Sequence, residues 1–311
     1  MSPEPELSSS GVAVAQNFAT ALSHDSHKSP ALVAIETLYN VLLNSSATTV
    51  IELTDELKAA ITSMQQCDQS TSSVASAGEL FMRFISLAVL DQPNFDECRK
   101  VLVTRGKQFL TRVAASRTKI VGFTTPFIKN GCTILTHSYS RVVADCLVDA
   151  ANRGKSFSVY VTESRPEPDG YKLRHQLAEI GVPCTVVLDA AVAYVMEKVD
   201  LVFVGAEAVV ETGGIINRIG TLNIALAAKA MNKPMYVMAE SVKFVKEYPL
   251  NQRDVPDRFK YPASVLRSGR DLSDEHPLVD YTPPDYIKLL FTDLGILTPA
   301  AVSDELIKLY L

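Results

Sequence analysis

The sequence lacks several features that would assign it to a specialised class of protein. No stretch approaches the roughly 18 uninterrupted apolar residues of a transmembrane helix, and the opening MSPEPELSSSG has no basic stretch followed by an apolar one, as a secretory signal would. Its five cysteines are scattered and form no C-x-x-C pair. We therefore expect a chain that is neither secreted nor inserted in a membrane, that works in the reducing cytosol, and that holds no metal or cofactor.

An excess of basic residues is also missing. The 311 residues include 30 Lys and Arg against 35 Asp and Glu, a formal net charge of −5. Because proteins that bind nucleic-acid phosphates usually present a basic surface, we expect no nucleic-acid partner. The hydrophobic content of 47% is sufficient for folded domains, and the length predicts two domains of roughly 150 residues each.

Apolar spacing divides the chain into regions. From residue 30 onward apolar residues recur every three or four positions, as in Ile35, Leu38 and Leu42, which predicts helices. From residue 116 onward, short β-branched runs alternate with helical stretches, which is typical of an α/β fold with a parallel sheet. We predict a disordered tail over 1–29, an N-terminal helical bundle over 30–115, and a Rossmann-like, doubly wound parallel-sheet domain over 116–311.

The second domain has a regular predicted order. Its strands are predicted at 133–136, 158–162, 185–188, 201–204 and 235–238, with helices at 141–151, 171–180, 190–199 and 221–231. The proline-rich stretch 248–284 interrupts every periodicity and predicts a long surface excursion. A closing helix is predicted after Thr298 as N-cap, with Pro299 as its first residue.

Polar residues follow every predicted strand. Ligands collect at the carboxyl ends of the strands in open α/β sheets, so we expect these residues to share one ligand-binding crevice. They are His137, Ser138 and Arg141 after the first strand, Glu163 and Arg165 after the second, Asp189 after the third, Glu207 after the fourth and Lys243 after the fifth.

The strongest local signal is the run ETGGIINRIGT at 211–221, which precedes a predicted helix. Gly213 and Gly214 allow a tight turn, the start of the helix offers free N–H groups, and Arg218 adds a guanidinium, so a phosphate would fit. The candidate ligand residues here are Asn217, Arg218, Gly220 and Thr221. The alternative is a Gly-Gly turn before an ordinary N-cap. The run is neither a G-x-G-x-x-G fingerprint nor a Walker A loop, which argues against a dehydrogenase or a nucleotide hydrolase.

Two other residue types have competing interpretations. His137 is either a neutral hydrogen-bonded group or a general base, and the first is favoured because the sequence fixes no carboxylate partner for it. Cys132 and Cys184 flank predicted strands and are interpreted as packing residues rather than nucleophiles.

Five runs carry a resemblance to one known family, and the resemblance extends over nearly the whole chain. The family comprises regulatory subunits of the exchange factor for eukaryotic translation initiation factor 2, and its relatives include the methylthioribose-1-phosphate and ribose-1,5-bisphosphate isomerases. The runs are most similar to the alpha branch of the family. They are ILTHSYSRVV, FSVYVTESRP, TVVLDAAVAYVMEKVDLVFVGAEAVVETGGIINRIGT, KFVKEYPLNQRDVPDRFKY and FTDLGILTPAAVSDELIKLYL.

The resemblance implies a non-catalytic role in GDP/GTP exchange on initiation factor 2. It implies a homodimer that bridges assemblies containing the beta and delta subunits, within a complex that also holds gamma and epsilon. It further implies that the protein helps to sense the phosphorylated alpha subunit of initiation factor 2. A sugar phosphate is the implied small ligand, and the alternative function is that of a sugar-phosphate aldose–ketose isomerase.

The isomerases differ from this chain at two reacting positions. They have a cysteine where this chain has Ser138 and an aspartate where it has Glu207. A serine is a poor substitute for a thiol in proton transfer, and the longer carboxylate displaces the reacting oxygen. The family's N-K-I-G-T run appears as residues 217–221 with Arg218 for the lysine, so phosphate binding is expected to survive without turnover.

Two surfaces are expected to meet partners. The closing segment 291–311 offers more apolar side chains than one helix can hide, which predicts a dimer, although packing within the subunit is the alternative. The polar faces of the helical domain, including Asp55 and Glu56, are predicted to meet the phosphorylated partner.

Overall fold

The computed structural model describes residues 9–24, 28–67, 71–86 and 94–310. Their contacts form two compact units. The first holds the described residues up to Ala114 together with Tyr261–Asp274 and Tyr310, and the second holds Ala115–Lys260 and Glu275–Leu309. The sequence-based division gave Tyr261–Asp274 to the second domain, but the segment groups with the first unit.

The first unit is helical. Its helices are α1 (Ser9–His24), α2 (Pro30–Asn44), α3 (Val50–Gln65), α4 (Thr71–Ser86) and α5 (Phe95–Ala114). Three of them begin at a side-chain cap. The Ser29 hydroxyl accepts a hydrogen bond from the Leu32 N–H before α2, Thr49 and Glu52 form a reciprocal capping box at the start of α3, and the Asn94 amide oxygen accepts from the Glu97 N–H before α5. Leu38, Leu42, Leu57 and Phe81, for example, are buried in its core.

The prediction of a disordered tail over 1–29 is wrong for residues 9–24, which form α1. Val14 and Phe18 lie four residues apart and share one face, and Phe18 is fully buried. Burying one aromatic ring stabilises a short helix that the serine-rich composition obscures. Residues 1–8 and 25–27 lie outside the described residues.

The second unit contains a seven-stranded sheet in the order β10–β9–β7–β4–β1–β2–β3. All neighbouring strands are parallel except β9 and β10. Its strands are β1 (Cys132–His137), β2 (Phe157–Thr162), β3 (Cys184–Val187), β4 (Leu201–Gly205), β7 (Met235–Met238), β9 (Leu289–Thr292) and β10 (Gly295–Leu297). A smaller sheet is formed by β5 (Ala208–Val209), β6 (Ile215–Arg218) and β8 (Val279–Thr282). The order reverses between β1 and β4, and this is where such folds bind ligands.

Helices precede, connect and follow these strands, as expected for a doubly wound fold. They are α6 (Ser116–Thr124), α7 (Arg141–Asn152), α8 (Gly170–Glu179), α9 (Val192–Met196), α10 (Thr221–Ala230), α11 (Asp257–Lys260) and α13 (Val302–Tyr310), and α12 (Ala263–Arg267) belongs to the first unit. The predicted α/β fold class is confirmed. A 3₁₀ turn over Pro299–Ala301 precedes α13, and the Thr298 side chain makes no capping hydrogen bond, unlike the prediction.

The predicted surface excursion over 248–284 is partly wrong. Strand β8 lies within it and pairs antiparallel with β6 in a three-stranded sheet ordered β5–β6–β8. Val255, Phe259 and Tyr281 from this stretch are buried in a small core of their own with residues of β5 and β6. Strand β5 has only two residues, and Asp280 interrupts β8, so neither strand shows the continuous apolar run by which other short strands were predicted.

Among the described helices, none is long and apolar enough to cross a membrane.

Candidate ligand-binding cleft

His137 ends β1 and lies buried next to the turn before α10. Its Nε2 is 2.9 Å from the carbonyl oxygen of Ile219, and its Nδ1 is 2.6 Å from the hydroxyl of Thr162. Because a carbonyl only accepts, Nε2 carries the proton, and Nδ1 accepts from Thr162. Burial lowers the pKa of His137, against the opposing charge of Asp189. The ring is therefore a neutral hydrogen-bonded group, and both its nitrogens are occupied.

Ser138 and Arg141 follow His137. Ser138 is buried and has a φ of 58°, in the left-handed region that non-glycine residues rarely adopt. Arg141 is half-buried as the first residue of α7. Gly205, at the end of β4, approaches the same turn so closely that a Cβ there would lie 2.3 Å from the Ser140 Oγ. The two strand ends at the reversal of the sheet are thus packed against each other.

The loop after β2 is held by Asp189. The backbone N–H groups of Ser164 and Arg165 donate to its two carboxylate oxygens at 2.9 and 2.8 Å. Both carboxylate oxygens thus support the loop, a role that the sequence did not predict. Glu163, buried at the end of β2, forms an ion pair with Arg165 at 3.4 Å.

Arg165 and Arg218 line the same narrow cleft. Its walls are formed by residues 164–167 of the loop after β2, by Arg218 and Ile219 after β6, and by Leu278. An Arg218 Nη2 lies 3.2 Å from a carboxylate oxygen of Glu167. The cleft has a volume of about 10 Å³, room for roughly one water molecule.

The start of α10 is already occupied by a carboxylate. Asp280 of β8 accepts hydrogen bonds from the N–H groups of Gly220 at 2.7 Å and Leu222 at 3.1 Å. Burial raises the pKa of Asp280 to about 6, although these hydrogen bonds oppose the shift. The predicted phosphate contact with the free N–H groups of this helix is therefore corrected: the protein supplies its own anion there.

Asn217 and Thr221 stabilise the turn from inside. Both are buried; the Asn217 amide donates to the Thr221 hydroxyl, and that hydroxyl donates to the carbonyl of Arg218. Gly220 adopts a φ of 105° between them, a conformation that favours glycine. These three residues shape the turn that carries Arg218.

Lys243 belongs to a separate ion cluster with Glu240 and Arg117. Its ammonium donates to the carbonyl of Ala206 at 2.7 Å and lies 3.4 Å from the buried carboxylate of Glu240, which Arg117 also contacts at 3.0 Å. Burial raises the pKa of Glu240, but the charges of Lys243 and Arg117 outweigh it and lower the value to about 2. Lys243 therefore neutralises a buried acid instead of lining the cleft.

Glu207 and the glycine pair lie apart from the cleft lining. Glu207 is half-buried between β4 and β5, and its N–H donates to the carbonyl of Ile216. Gly213 and Gly214 form the turn between β5 and β6, where a Cβ on Gly213 would lie 2.2 Å from the Pro299 oxygen. The whole of β6 separates this turn from Gly220, so the glycine pair shapes a hairpin and no phosphate site.

Sequence reasoning missed two acidic residues that govern the site. They are Glu167, which pairs with Arg218, and Asp280, which bonds to the start of α10. Asp280 sits within the supposed surface excursion, and only the pairing of β8 with β6 places it opposite Asn217. Glu167 directly follows the E-S-R-P run and could have been added to the candidates on that ground.

A roomier cavity, of about 690 Å³, lies at the opposite edge of the sheet, at the amino ends of β1, β4 and β7. Phe127, Cys132, Asp200 and Tyr236 are among its lining residues. Burial raises the pKa of the Cys132 thiol, which suits a packing residue more than a nucleophile. None of the predicted ligand residues lines this cavity, and ligands of doubly wound folds bind at the other edge.

Metal ligands do not gather anywhere in the described ranges, which contain no group of three or more His, Cys, Asp or Glu placed to hold an ion. The five cysteines are free thiols.

A sequence model of the initiation factor 2 subunit family matches residues 23–299. The chain belongs to that family. It is 45% identical over 301 residues to "Translation initiation factor eIF2B subunit alpha" of Caenorhabditis elegans, covering 96% of this chain and 98% of that protein. The Dictyostelium discoideum protein of the same name is 45% identical over 309 residues, covering 96% of each chain. The resemblance to the alpha branch of the family is thus confirmed.

Isomerases and solved family structures are more distant. "Ribose 1,5-bisphosphate isomerase" of Archaeoglobus fulgidus is 32% identical over 251 residues, covering 79% of this chain and 77% of that protein. A chain of the tetrameric eIF2B-beta2-delta2 complex from C. thermophilum superposes with a TM-score of 0.75 at 19% identity, covering 98% of this chain and 96% of that one. The eIF-2B structure from Pyrococcus horikoshii OT3 gives a TM-score of 0.71 at 24% identity, covering 94% and 98%. These structures share the fold.

Proposed function

We propose that this chain is a regulatory, non-catalytic subunit of the exchange factor for initiation factor 2, acting in the cytosol. The observation that carries the proposal is the 45% identity to two proteins named as the alpha subunit, over nearly the full length of this chain and of each relative. The isomerase relative is less similar and matches less of the chain.

The site supports a loss of catalysis. Where the isomerases have a reacting cysteine, this chain has the buried Ser138, whose hydroxyl is a far weaker acid than a thiol. The only free lone pair of the neutral His137 ring, on Nδ1, accepts from the Thr162 hydroxyl in this arrangement, so it is not offered to a substrate as a general base. Incubation with ribose 1,5-bisphosphate, followed by NMR, tests the competing isomerase function. No conversion is expected, and turnover would overturn the non-catalytic role.

The proposed partners are a second copy of this chain and the beta and delta subunits, in a complex that also holds gamma and epsilon. The C-terminal segment supports a dimer less strongly than its apolar composition suggests. Phe291, Val302 and Leu306 are buried within the chain, and Ile296 and Ile307 are 41% and 47% exposed. Sizing chromatography with light scattering tests both claims. The chain alone should elute as a dimer, and mixtures with beta and delta as a larger complex.

Sensing of phosphorylated initiation factor 2 alpha is proposed for the polar faces of the helical unit. Asp55 is exposed and only weakly paired with Lys58 at 3.9 Å, whereas Glu56 accepts a hydrogen bond from Ser45. Charge reversal at Asp55 is therefore the cleaner test. It should weaken binding of the complex to the phosphorylated partner and leave dimerisation intact; unchanged affinity would exclude this surface.

Binding of a sugar phosphate is proposed for the cleft between Arg165 and Arg218. Because Asp280 occupies the N–H groups at the start of α10, the two guanidinium groups remain as the cationic phosphate ligands of this cleft. Calorimetry with ribose 5-phosphate tests the claim, since a sugar without the phosphate should not bind.

A further inference from the structure

Both arginines of the cleft are paired with an acid from the same loop. Arg165 pairs with Glu163 at 3.4 Å and Arg218 with Glu167 at 3.2 Å. The four charges sum to zero, so the cleft as it stands has little attraction for an anion. With a volume of about 10 Å³, it also has no room for a phosphate, which needs space for four oxygens around phosphorus.

The two acids differ in how easily they can move. The Glu163 side chain is 11% exposed at the end of β2, but that of Glu167 is 56% exposed on the loop, and its partner Arg218 is 33% exposed. An ion pair with this much solvent access contributes little to stability and is readily broken. The loop itself stays anchored, because Asp189 binds the N–H groups of Ser164 and Arg165.

We propose that Glu167 is an internal counter-ion that closes the cleft by occupying Arg218, and that a phosphate binds by displacing it. This regulation rests on the proposed phosphosugar function of the same cleft. When Glu167 rotates into solvent, its carboxylate leaves Arg218, and the Arg218 guanidinium becomes available to two phosphate oxygens. The ion pair thus competes directly with the ligand and weakens its binding.

The test is calorimetric titration of the full chain with ribose 5-phosphate at neutral pH. Glu167→Gln keeps the shape of the side chain but removes the charge, so it should tighten binding by roughly two- to fivefold, the range expected for an exposed ion pair. Glu179→Gln is the matched control. Glu179 is 65% exposed on α8, where it pairs with His175 and lines no part of the cleft, so binding should not change.

A double variant separates competition from other effects. In an Arg218→Gln background the competing pair no longer exists, and Glu167→Gln should then alter affinity far less than in the wild type. Suppose that the wild type binds ribose 5-phosphate and that Arg218→Gln weakens this binding. If Glu167→Gln then leaves the affinity unchanged or lowers it, the counter-ion role is overturned and the phosphosugar function stands. If neither wild type nor Glu167→Gln binds, the phosphosugar function fails together with this inference.

Discussion

The carboxylate of Asp280 accepts a 2.7 Å hydrogen bond from the backbone N–H of Gly220. This contact joins the second sheet to the helix start that, by sequence, is the best anion site in the chain. The same relationship recurs at the loop after β2, where Asp189 binds backbone N–H groups, and at Arg218, which Glu167 neutralises. The hydrogen-bond donors that suit a phosphate are largely satisfied by the protein's own carboxylates. Among these carboxylates, the exposed Glu167 is the one that a phosphate can readily displace.

Asp280 should make stability depend on pH between about 4 and 6. Its pKa is about 6 in the folded chain against an ordinary value of 3.8, so the folded state binds the proton more tightly than the unfolded state. Stability from this group is complete below pH 3.8 and is lost as the pH rises through 6. At about 1.4 kcal/mol per pKa unit, the loss is about 3 kcal/mol.

Asp280→Asn is the variant that isolates this effect. Its amide oxygen can still accept from Gly220, while its NH₂ group can take the place of the Asp280 Oδ1, which has no hydrogen-bond partner among the described residues. In urea unfolding, the wild type should therefore lose stability relative to the variant as the pH rises from 4 to 7. A difference that stays constant over this range would mean that Asp280 has an ordinary pKa.

Lys243→Met should destabilise the second unit. A buried charge left without any partner costs roughly 3–5 kcal/mol. Because Arg117 still pairs with Glu240 after the substitution, we expect a loss of stability below that range. Lys308→Met is the matched control, because Lys308 forms only an exposed pair with Glu305, worth less than about 1 kcal/mol. Thermal unfolding of both variants provides the comparison, and equal effects would show that the Glu240 cluster contributes little.

The sequence predicted five of the seven strands of the central sheet, because these five carry their own signal, but it missed β9 and β10. Buried β-branched runs identified β1 to β4 and β7 to within one residue at either end. The strand-end rule selected Arg165 and the run before α10 selected Arg218, and the structure places both at one cleft. Local patterns suffice when an element is long enough to repeat its period.

The rest depends on long-range pairing that no local pattern encodes. Strand β8 is four residues long and includes Asp280, so only its pairing with β6 identifies it as a strand. Lys243 and Asp189 were assigned to the crevice as charged residues at strand ends. Their partners, the Glu240 carboxylate and the N–H groups of Ser164 and Arg165, are set by tertiary packing.

Gly213→Ala should be far more damaging than Gly131→Ala. Both glycines have a positive φ, of 83° and 81°, so an alanine costs about 1–2 kcal/mol at either position. At Gly131 a Cβ would meet nothing within 4 Å, whereas at Gly213 it would lie 2.2 Å from the Pro299 carbonyl oxygen. Overpacking should add about 1–3 kcal/mol at Gly213 alone. Urea midpoints measure the difference; similar values would mean that the Pro299 segment yields without cost.

Arg218→Glu should abolish binding of a sugar phosphate to the cleft. The reversal removes the guanidinium and places a second carboxylate beside Glu167, so an attraction for the phosphate becomes a repulsion. We expect at least about a tenfold loss of affinity for ribose 5-phosphate in calorimetry, since charge-assisted hydrogen bonds contribute roughly 1.5–3 kcal/mol. Lys198→Glu makes the same change of charge at an exposed position after α9 and should bind like the wild type. Equal affinities for wild type and Arg218→Glu would place the ligand elsewhere on the molecule.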